Sequence, residues 1–413
     1  MTRPQQVPFD AVRAAFPAVV RGDTTFLDNA SGAQLPERVL DAMNDAMRTL
    51  QVNKGGAYPA SMRVTDAKEA VRARTAAFLG VHGDADGVAF GANATTLLFL
   101  LAEAVADGLE AGDVVIVTGL DHHANVDPWR RLARRGVEVR TWAPDAEGTL
   151  HLDDLAALWD ARVRVVAMTA ASNLIGTYAP VAEVGAWLEG RDARLVVDAV
   201  HYAPHRLPDA AAWGADAVAF SPYKVVAPHL GALWIAADWR AELADWGLAF
   251  LPAGPLRWEP GTQNHEAIVA FGAALDHLAW IGELAGAAAD APDRARWAAA
   301  FAAIQAHETA LCGRLLEGLD ARGAVRVGRP GVDGRTATVA FTVPWADAAD
   351  VAARLGRRSI AVTAGHAYAE RLARVHLNRP DGVVRASLLH YSDAGDVDRL
   401  LTALDEEAAA AQA

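Results

Sequence analysis

Phe220-Ser221-Pro222-Tyr223-Lys224-Val225-Val226-Ala227-Pro228-His229 is the stretch of this sequence that decides the fold. Its lysine follows the apolar run Ala217–Phe220, which has the length and composition of a buried strand. A second apolar run, Arg194–Val197, ends in Asp198. Ligands of open α/β sheets bind beyond the carboxyl ends of the strands, so we expect Asp198 and Lys224 to meet there.

Other apolar runs in the middle of the chain also predict strands. They are mostly apolar on both faces, as parallel strands covered by helices should be. Helical stretches such as Val126–Arg135 and Leu152–Trp159 lie between several of them. This alternation predicts an α/β fold with a mostly parallel sheet. The predicted strands are Val114–Val117, Val163–Met168, Leu195–Val197, Ala217–Phe220 and Ala232–Ile235.

The pattern changes after about Asn264, where helix-like sequence fills His265–Arg322 and shorter strand candidates follow. We therefore predict three parts. Residues 1–63 form an N-terminal segment that packs with the small domain, residues 64–264 form the large domain, and residues 265–413 form a small α+β domain. The candidate elements of the small domain are the strands Thr336–Val343, Ile360–Val362 and Val384–Leu389 and the helices Ala346–Arg357 and Ala394–Glu407.

The amino-acid composition of the chain excludes several kinds of partner and site. The chain has 413 residues, 52% hydrophobic and 22% charged, with a net charge of −13. An acidic surface argues against nucleic acid or an anionic membrane as partner. We find no signal-peptide pattern and no apolar run of the roughly 18 residues that span a bilayer, so we expect a cytoplasmic protein. The one cysteine, Cys312, excludes an internal disulfide and a cysteine-based zinc site, and we predict no metal.

Lys224 and Asp198 together point to pyridoxal phosphate. That cofactor needs a lysine that forms a Schiff base and an acid that pairs with the pyridinium nitrogen. Its phosphate needs backbone N–H groups, hydroxyls and preferably a helix N-terminus. Ala94-Thr95-Thr96, directly before the apolar helix Leu97–Val105, supplies all three, although the same residues would also make a simple helix cap.

Six further motifs fall into one chain order around these two residues. Their order resembles that of the class V aminotransferase family of fold-type I pyridoxal-phosphate enzymes. The closest branch is the cysteine desulfurase-like group, and the resemblance runs from about Phe26 to about Leu400. The motifs are Phe26–Gly32, Asn93–Thr96, Asp121–Asn125, Ser172–Thr177, Pro260–Asn264 and Val384–Ser387.

The resemblance implies a role for each matching residue. Lys224 would bind the cofactor covalently and move the α-proton, Asp198 would anchor the pyridine nitrogen, and His123 would stack on the ring. Gly261 and Thr262 resemble a segment that reaches the phosphate of a neighbouring subunit, which implies a homodimer with shared sites. The other implied cofactor contacts are Ala94, Thr95, Thr96, Asn173, His201 (where desulfurases usually carry Gln) and Ser221, and the implied substrate contacts are Asn173, Arg385, Ser31, His366 and Tyr368.

One part of the resemblance fails. Family members that make a persulfide carry a catalytic cysteine on a mobile loop soon after a Gly-His pair, and a thiolate is required for that chemistry. Here the corresponding segment, Thr363–Glu370, has no cysteine, and Cys312 lies in a predicted helix. We therefore predict a lyase that eliminates a Cβ leaving group from a small amino acid without a protein persulfide. An aminotransferase, an epimerase or a catalytically silent pyridoxal-phosphate-binding protein is the alternative.

Overall fold

The structure is a computed structural model that describes residues 7–243, Phe250 and residues 254–412. Residues 1–6 of the predicted N-terminal segment, residues 244–249 and 251–253 of the predicted large domain, and Ala413 lie outside the described residues.

The described residues contain thirteen β-strands and thirteen α-helices. The strands are β1 (Thr25–Phe26), β2 (Val88–Gly91), β3 (Val114–Thr118), β4 (Glu138–Trp142), β5 (Val163–Thr169), β6 (Arg194–Asp198), β7 (Ala217–Phe220), β8 (Gly231–Ile235), β9 (Val325–Val327), β10 (Thr338–Thr342), β11 (Ile360–Ala361), β12 (Thr363–Gly365) and β13 (Val383–Ser387). The helices are α1 (Phe9–Ala14), α2 (Pro17–Arg21), α3 (Glu37–Thr49), α4 (Pro59–Phe78), α5 (Ala94–Ala106), α6 (Asp127–Arg130), α7 (Leu152–Ala157), α8 (Val181–Leu188), α9 (Ala237–Glu242), α10 (His265–Leu284), α11 (Asp293–Ala321), α12 (Ala348–Arg357) and α13 (Ala394–Gln412).

The large sheet has seven strands in the order β2-β8-β7-β6-β5-β3-β4. β8 runs antiparallel to both of its neighbours, whereas every other pair of neighbours is parallel. All five predicted strands are present in it, so the predicted mostly parallel α/β sheet is confirmed. Asp198 at the end of β6 is in register with Ala219 near the end of β7, which brings the carboxyl ends of these two strands side by side.

Helices cover both faces of this sheet. Along β3, Val114 and Ile116 belong to one hydrophobic cluster, whereas Val115 and Val117 belong to another on the opposite face. Successive side chains of a strand point to opposite faces, so a strand that is buried on both faces must be apolar at every position. This explains why the central strands could be recognised as uninterrupted apolar runs.

The predicted helices differ from the observed ones in two places. The predicted helix over 126–135 is the short α6 followed by a 3-10 turn over 131–135, which ends at Gly136 with φ +85°. The predicted helical region over 265–322 consists of α10 and α11 separated by residues 285–292. Pro292 directly precedes α11, and a proline cannot continue a preceding helix because it lacks the N–H group.

A second sheet, of order β12-β13-β10-β9, is antiparallel throughout. β1 pairs in parallel with β11, and the Thr25 position is opposite Ile360. The first strand of the chain therefore lies beside a strand from its last sixty residues. This pairing supports an N-terminal segment that packs with the small domain, and the domain boundaries themselves stay a prediction.

By length and composition, α10 could cross a bilayer, but most of its apolar window is buried inside the protein. Ile268, Phe271, Leu275 and Leu278 on α10 are almost completely buried in the main hydrophobic cluster. In this fold α10 is a core helix.

Candidate active site

A cleft lies beyond the carboxyl ends of β5, β6 and β7. It contains both Asp198 and Lys224, as the sequence predicts. The lining also includes most of the predicted cofactor contacts. The lining residues are Asn93, Ala94, Thr95, His122, Ala124, Thr169, Ala171, Asn173, Asp198, Val200, His201, Ser221, Tyr223 and Lys224.

Lys224 ends a 3-10 turn that begins directly after β7. Pro222 starts the turn, and the Lys224 backbone N–H donates to the Ser221 carbonyl at 3.0 Å. Burial lowers the pKa of Lys224 to about 8; the Arg385 guanidinium also lowers it, whereas Asp198 raises it. A lysine with such a pKa has a larger fraction of nucleophilic neutral amine at neutral pH than an exposed lysine has.

Asp198 is the last residue of β6, and its side chain is buried. The Val200 backbone N–H donates to its Oδ1 at 2.8 Å. Burial raises the pKa of Asp198 to about 6, although that hydrogen bond and Lys224 both act to lower the pKa. An additional cation in the cleft, such as a protonated ring nitrogen, would favour the ionised carboxylate.

The N-terminus of α5 forms one end of the cleft. Its cap is Asn93, whose Oδ1 accepts the Thr96 N–H at 2.8 Å and the Thr96 hydroxyl at 3.0 Å. Ala94, Thr95 and Ser221 line the cleft, so the first helical N–H groups and two hydroxyls are available to an anion there. Thr96, predicted to bind phosphate, instead uses its hydroxyl for the cap and lines a neighbouring open groove.

Gly231 allows β8 to approach this helix start closely. A Cβ at Gly231 would lie 2.3 Å from the Asn93 carbonyl carbon. Only glycine avoids that clash, so the cradle formed by Asn93 and Ala94 depends on the absence of a side chain in β8.

The structure gives the two adjacent histidines different surroundings. His122 lines the cleft, whereas the Nδ1 of His123 lies 3.0 Å from Asp127 Oδ2, away from the cleft lining. His122 has an extended backbone and caps the 3-10 turn that His123 begins, so their side chains point in different directions. Burial lowers the pKa of His122 to about 3, so its ring is neutral at neutral pH.

Asn173 and His201 each bring a buried polar atom to the cleft lining. Asn173 Nδ2 donates to the Ala367 carbonyl at 2.7 Å, and His201 Nε2 lies 3.1 Å from Thr336 Oγ1. Among the described residues, Asn173 Oδ1 and His201 Nδ1 have no hydrogen-bond partner. Buried polar atoms are normally satisfied, so these two fit a ligand with polar groups on its ring.

Arg385, the predicted carboxylate clamp, is buried and does not itself line the cleft within the described part of the chain. Its guanidinium donates to Asp28 Oδ1 at 2.8 Å, to Ser31 Oγ at 2.6 Å and to the Asn173 carbonyl at 2.8 Å. A substrate carboxylate would therefore share Arg385 with Asp28. The structure brings the predicted residues Ser31, Asn173 and Arg385 together, and Asp28 joins them.

His366 and Tyr368 lie together at the edge of the cleft. The Tyr368 N–H donates to His366 Nδ1 at 3.2 Å, and the Tyr368 ring centroid is 5.3 Å from that of His122. Gly261 and Thr262 are not brought to this cleft: Gly261 is exposed, and Thr262 lines the same open groove as Thr96.

Seven cleft-lining residues were not predicted from the sequence: Asn93, His122, Ala124, Thr169, Ala171, Val200 and Tyr223. Asn93 could have been found, because an Asn three residues before a Thr at the start of an apolar helix is a typical N-cap. Tyr223 directly precedes Lys224, and its ring carbons lie 3.6 Å from where a Gly32 Cβ would be. Single-sequence spacing carries no comparable signal for His122.

The residues present fit pyridoxal phosphate. The cleft combines a buried lysine of lowered pKa, a buried acid, a helix N-terminus with hydroxyls, and two polar atoms free for a ligand. No group of three or more His, Cys, Asp or Glu side chains suited to a metal ion occurs in the part of the chain that the structure describes.

Comparisons with known proteins agree with this chemistry. Residues 25–400 match the family model for class V aminotransferases. A probable cysteine desulfurase of Pseudomonas aeruginosa is 34% identical over 415 residues, covering 96% of this chain and 97% of that protein. A cysteine desulfurase of Enterobacter sp. (strain 638) is 32% identical, with coverage of 96% and 97%.

Solved structures give the same result. The apo structure of a cysteine desulfurase from Thermococcus onnurineus superposes with a TM-score of 0.87 at 26% identity, covering 98% of this chain and 99% of that one. A cysteine desulfurase from Escherichia coli, at 24% identity, a TM-score of 0.82 and coverage of 96% and 98%, shares the fold. The predicted fold type, cofactor and family are confirmed. The chain belongs to the class V aminotransferase family and is a pyridoxal-phosphate-dependent enzyme.

Proposed function

We propose that this enzyme is a lyase that eliminates a leaving group from Cβ of a small amino acid and forms no persulfide on the protein. One observation carries the proposal: Tyr368, rather than a cysteine, lies beside His122 at the edge of a cleft with an intact Lys224 and Asp198. This arrangement keeps the groups that move an α-proton and lacks the nucleophile that would accept sulfur.

In this proposal each cleft residue has a distinct role. When bound, the cofactor supplies an electron sink for the pair left at Cα after its proton departs. Lys224 takes that proton, and the Asp198 carboxylate stabilises positive charge at the cofactor's ring nitrogen. His122, in place of His123, would present its neutral ring to the cofactor. Ala94, Thr95 and Ser221 would hold its phosphate, and Asn173 and His201 would contact its polar ring substituents.

Cys312 does not suit persulfide chemistry. It is 2% exposed within α11, and burial raises the pKa of its thiol. A reactive cysteine needs a lowered pKa and access to the substrate, and Cys312 has neither. In class V enzymes that make a persulfide, the thiol attacks substrate sulfur directly. A cysteine that is buried on a core-facing side of α11 cannot do this.

We expect the holoenzyme to release pyruvate and ammonia from β-chloroalanine, and Cys312→Ser to keep kcat/KM within about twofold, because Cys312 contacts no reacting atom. A coupled lactate dehydrogenase assay measures the pyruvate. Mass spectrometry of the protein after incubation with cysteine checks for added sulfur. Formation of β-chloropyruvate, the product of transamination, or of D-β-chloroalanine instead of pyruvate would contradict elimination, and sulfur on Cys312 would contradict the absence of a persulfide.

Arg385 is the proposed anchor of the substrate carboxylate. We expect Arg385→Ala to lower kcat/KM by about 10- to 100-fold, mainly through KM, because hydrogen bonds to charged groups contribute about 1.5–3 kcal/mol. Initial rates over a range of substrate concentrations separate KM from kcat.

The double variant Asp28→Asn, Arg385→Ala serves as the control. If Arg385 acted only as the ion-pair partner of Asp28, removing the Asp28 charge would restore activity. If Arg385 binds substrate, KM stays high in the double variant, even where the thermal stability recovers.

We further propose a cytoplasmic homodimer with shared sites. Thr262 and Thr96 line an open groove with the apolar side chains Phe99, Leu100 and Trp258. An apolar groove of this kind, adjacent to the cleft, favours coverage by a second subunit. Residues Gly261 and Thr262 would then serve the partner's phosphate rather than the cleft of their own chain.

A further inference from the structure

The segment Gly365–Tyr368 has a backbone that residues with side chains rarely adopt. Ala367 has φ +45° and Tyr368 has φ +59°, both in the left-handed region. Two hydrogen bonds from cleft elements hold it: Asn173 Nδ2 donates to the Ala367 carbonyl at 2.7 Å, and the His123 N–H donates to the Tyr368 carbonyl at 2.8 Å. Consecutive non-glycine residues keep such a conformation only where their surroundings determine it.

This backbone directs the Tyr368 side chain to the mouth of the cleft. The ring is 5.3 Å from the His122 ring, tilted by 41°, while the residue as a whole is 72% exposed. His122 lines the cleft that also holds Lys224. A substituent that extends outward from a substrate's β-carbon would therefore meet the free face of the phenol ring.

We propose that Tyr368 determines substrate specificity and selects amino acids whose β-leaving group is a thiol carrying an apolar or aromatic substituent, rather than free cysteine. This inference rests on the proposed elimination. An exposed aromatic ring offers a large apolar surface to a ligand, and stacked or edge-to-face rings attract beyond area burial. A bare thiol offers this ring no apolar substituent, and the segment offers no thiolate to receive its sulfur.

The reaction balances without an added oxidant or reductant. Lys224 takes the Cα proton, the Cβ–S bond breaks with its electron pair moving to sulfur, and a Cα=Cβ double bond forms. The departing thiolate takes a proton. The released enamine tautomerises, and one water hydrolyses it. The products are a thiol, pyruvate and ammonium, in equal amounts.

The test compares three substrates on the holoenzyme: S-benzyl-L-cysteine, L-cysteine and β-chloro-L-alanine, with pyruvate as the readout. We expect kcat/KM for S-benzyl-L-cysteine to exceed that for L-cysteine by about tenfold or more. Tyr368→Ala should raise KM for S-benzyl-L-cysteine by about tenfold. It should leave KM for β-chloro-L-alanine within about twofold of the wild-type value, because the small chloride leaving group does not reach the ring. Tyr368→Phe should retain the preference.

Val375→Ala is the matched control, since Val375 is an exposed apolar residue of the helical segment that follows. A preference for L-cysteine in the wild type, or an equal loss on all three substrates in Tyr368→Ala, would overturn the inference. A loss of kcat on every substrate in Tyr368→Phe would also overturn it, since the hydroxyl would then act as an acid. If β-chloro-L-alanine yields no pyruvate in the wild type, elimination itself is wrong and the inference falls with it.

Discussion

Lys224→Ala is expected to lower turnover by at least about 10³-fold, because it removes both the covalent attachment and the base that moves the α-proton. The variant should also lose the absorption band at the edge of the visible range that the attached cofactor gives. Borohydride reduction followed by peptide mass spectrometry should find the cofactor mass on the Lys224 peptide of the wild type alone. These measurements report attachment independently of the substrate.

The chain offers an unusually clean control, because it has only three lysines, Lys54, Lys68 and Lys224. Lys68 is completely buried, and its Nζ lies 4.0 Å from Glu259 Oε2. Lys54→Ala should therefore keep both the band and the activity. Lys224→Arg retains a cation in the cleft but cannot attach the cofactor, and it should be as inactive as the alanine variant. Labelling at Lys54 or Lys68 would show that Lys224 is not the attachment site.

The central sheet could be predicted because its strands are buried on both faces. Val114–Val117 and Ala217–Phe220 are uninterrupted apolar runs, and the structure has them as β3 and β7. β4 was not predicted because it is an edge strand whose sequence, Glu-Val-Arg-Thr-Trp, mixes polar and apolar residues. β2 is only four residues long and ends in a glycine. Short or half-exposed strands lack the pattern that distinguishes them from loops.

The site was predictable where a motif fixes which residue comes after a strand end, as at Asp198 and Lys224. It was not predictable where two equivalent residues are adjacent. His122 and His123 are the same residue type and are distinguished by the backbone. His122 has ψ 143° and precedes a 3-10 turn, and this geometry decides which ring lines the cleft. Residue spacing contains no information of that kind.

Contacts between distant parts of the chain could not be predicted from the sequence either. Arg385 and Asp28 are 357 positions apart, and their ion pair depends on β13 returning beside the segment that follows β1. The motif order identified both ends of this contact as important without showing that they meet. The network changes the interpretation of Arg385, because a substrate carboxylate bound as proposed would share its guanidinium with Asp28.

Asp198→Asn is expected to lower kcat by about 10²- to 10³-fold while the cofactor still attaches to Lys224, because the substitution removes charge and little else. The asparagine Oδ1 can accept the same Val200 N–H that Asp198 Oδ1 accepts at 2.8 Å, so the end of β6 should keep its shape. What is lost is the anion that makes a protonated ring nitrogen favourable. Stopped-flow rates of α-deuterium exchange in a labelled substrate measure this step directly.

Asp216→Asn is the matched control for that substitution. Asp216 lies at the opposite end of the same pair of strands and accepts the Leu195 N–H at 2.7 Å, much as Asp198 accepts that of Val200. Burial raises the pKa of both acids, so losing either charge changes stability in the same direction. Only Asp198 lines the cleft, and only its loss should slow proton exchange. If both variants slowed exchange equally, Asp198 would be a structural acid, and another group would have to make the ring an electron sink.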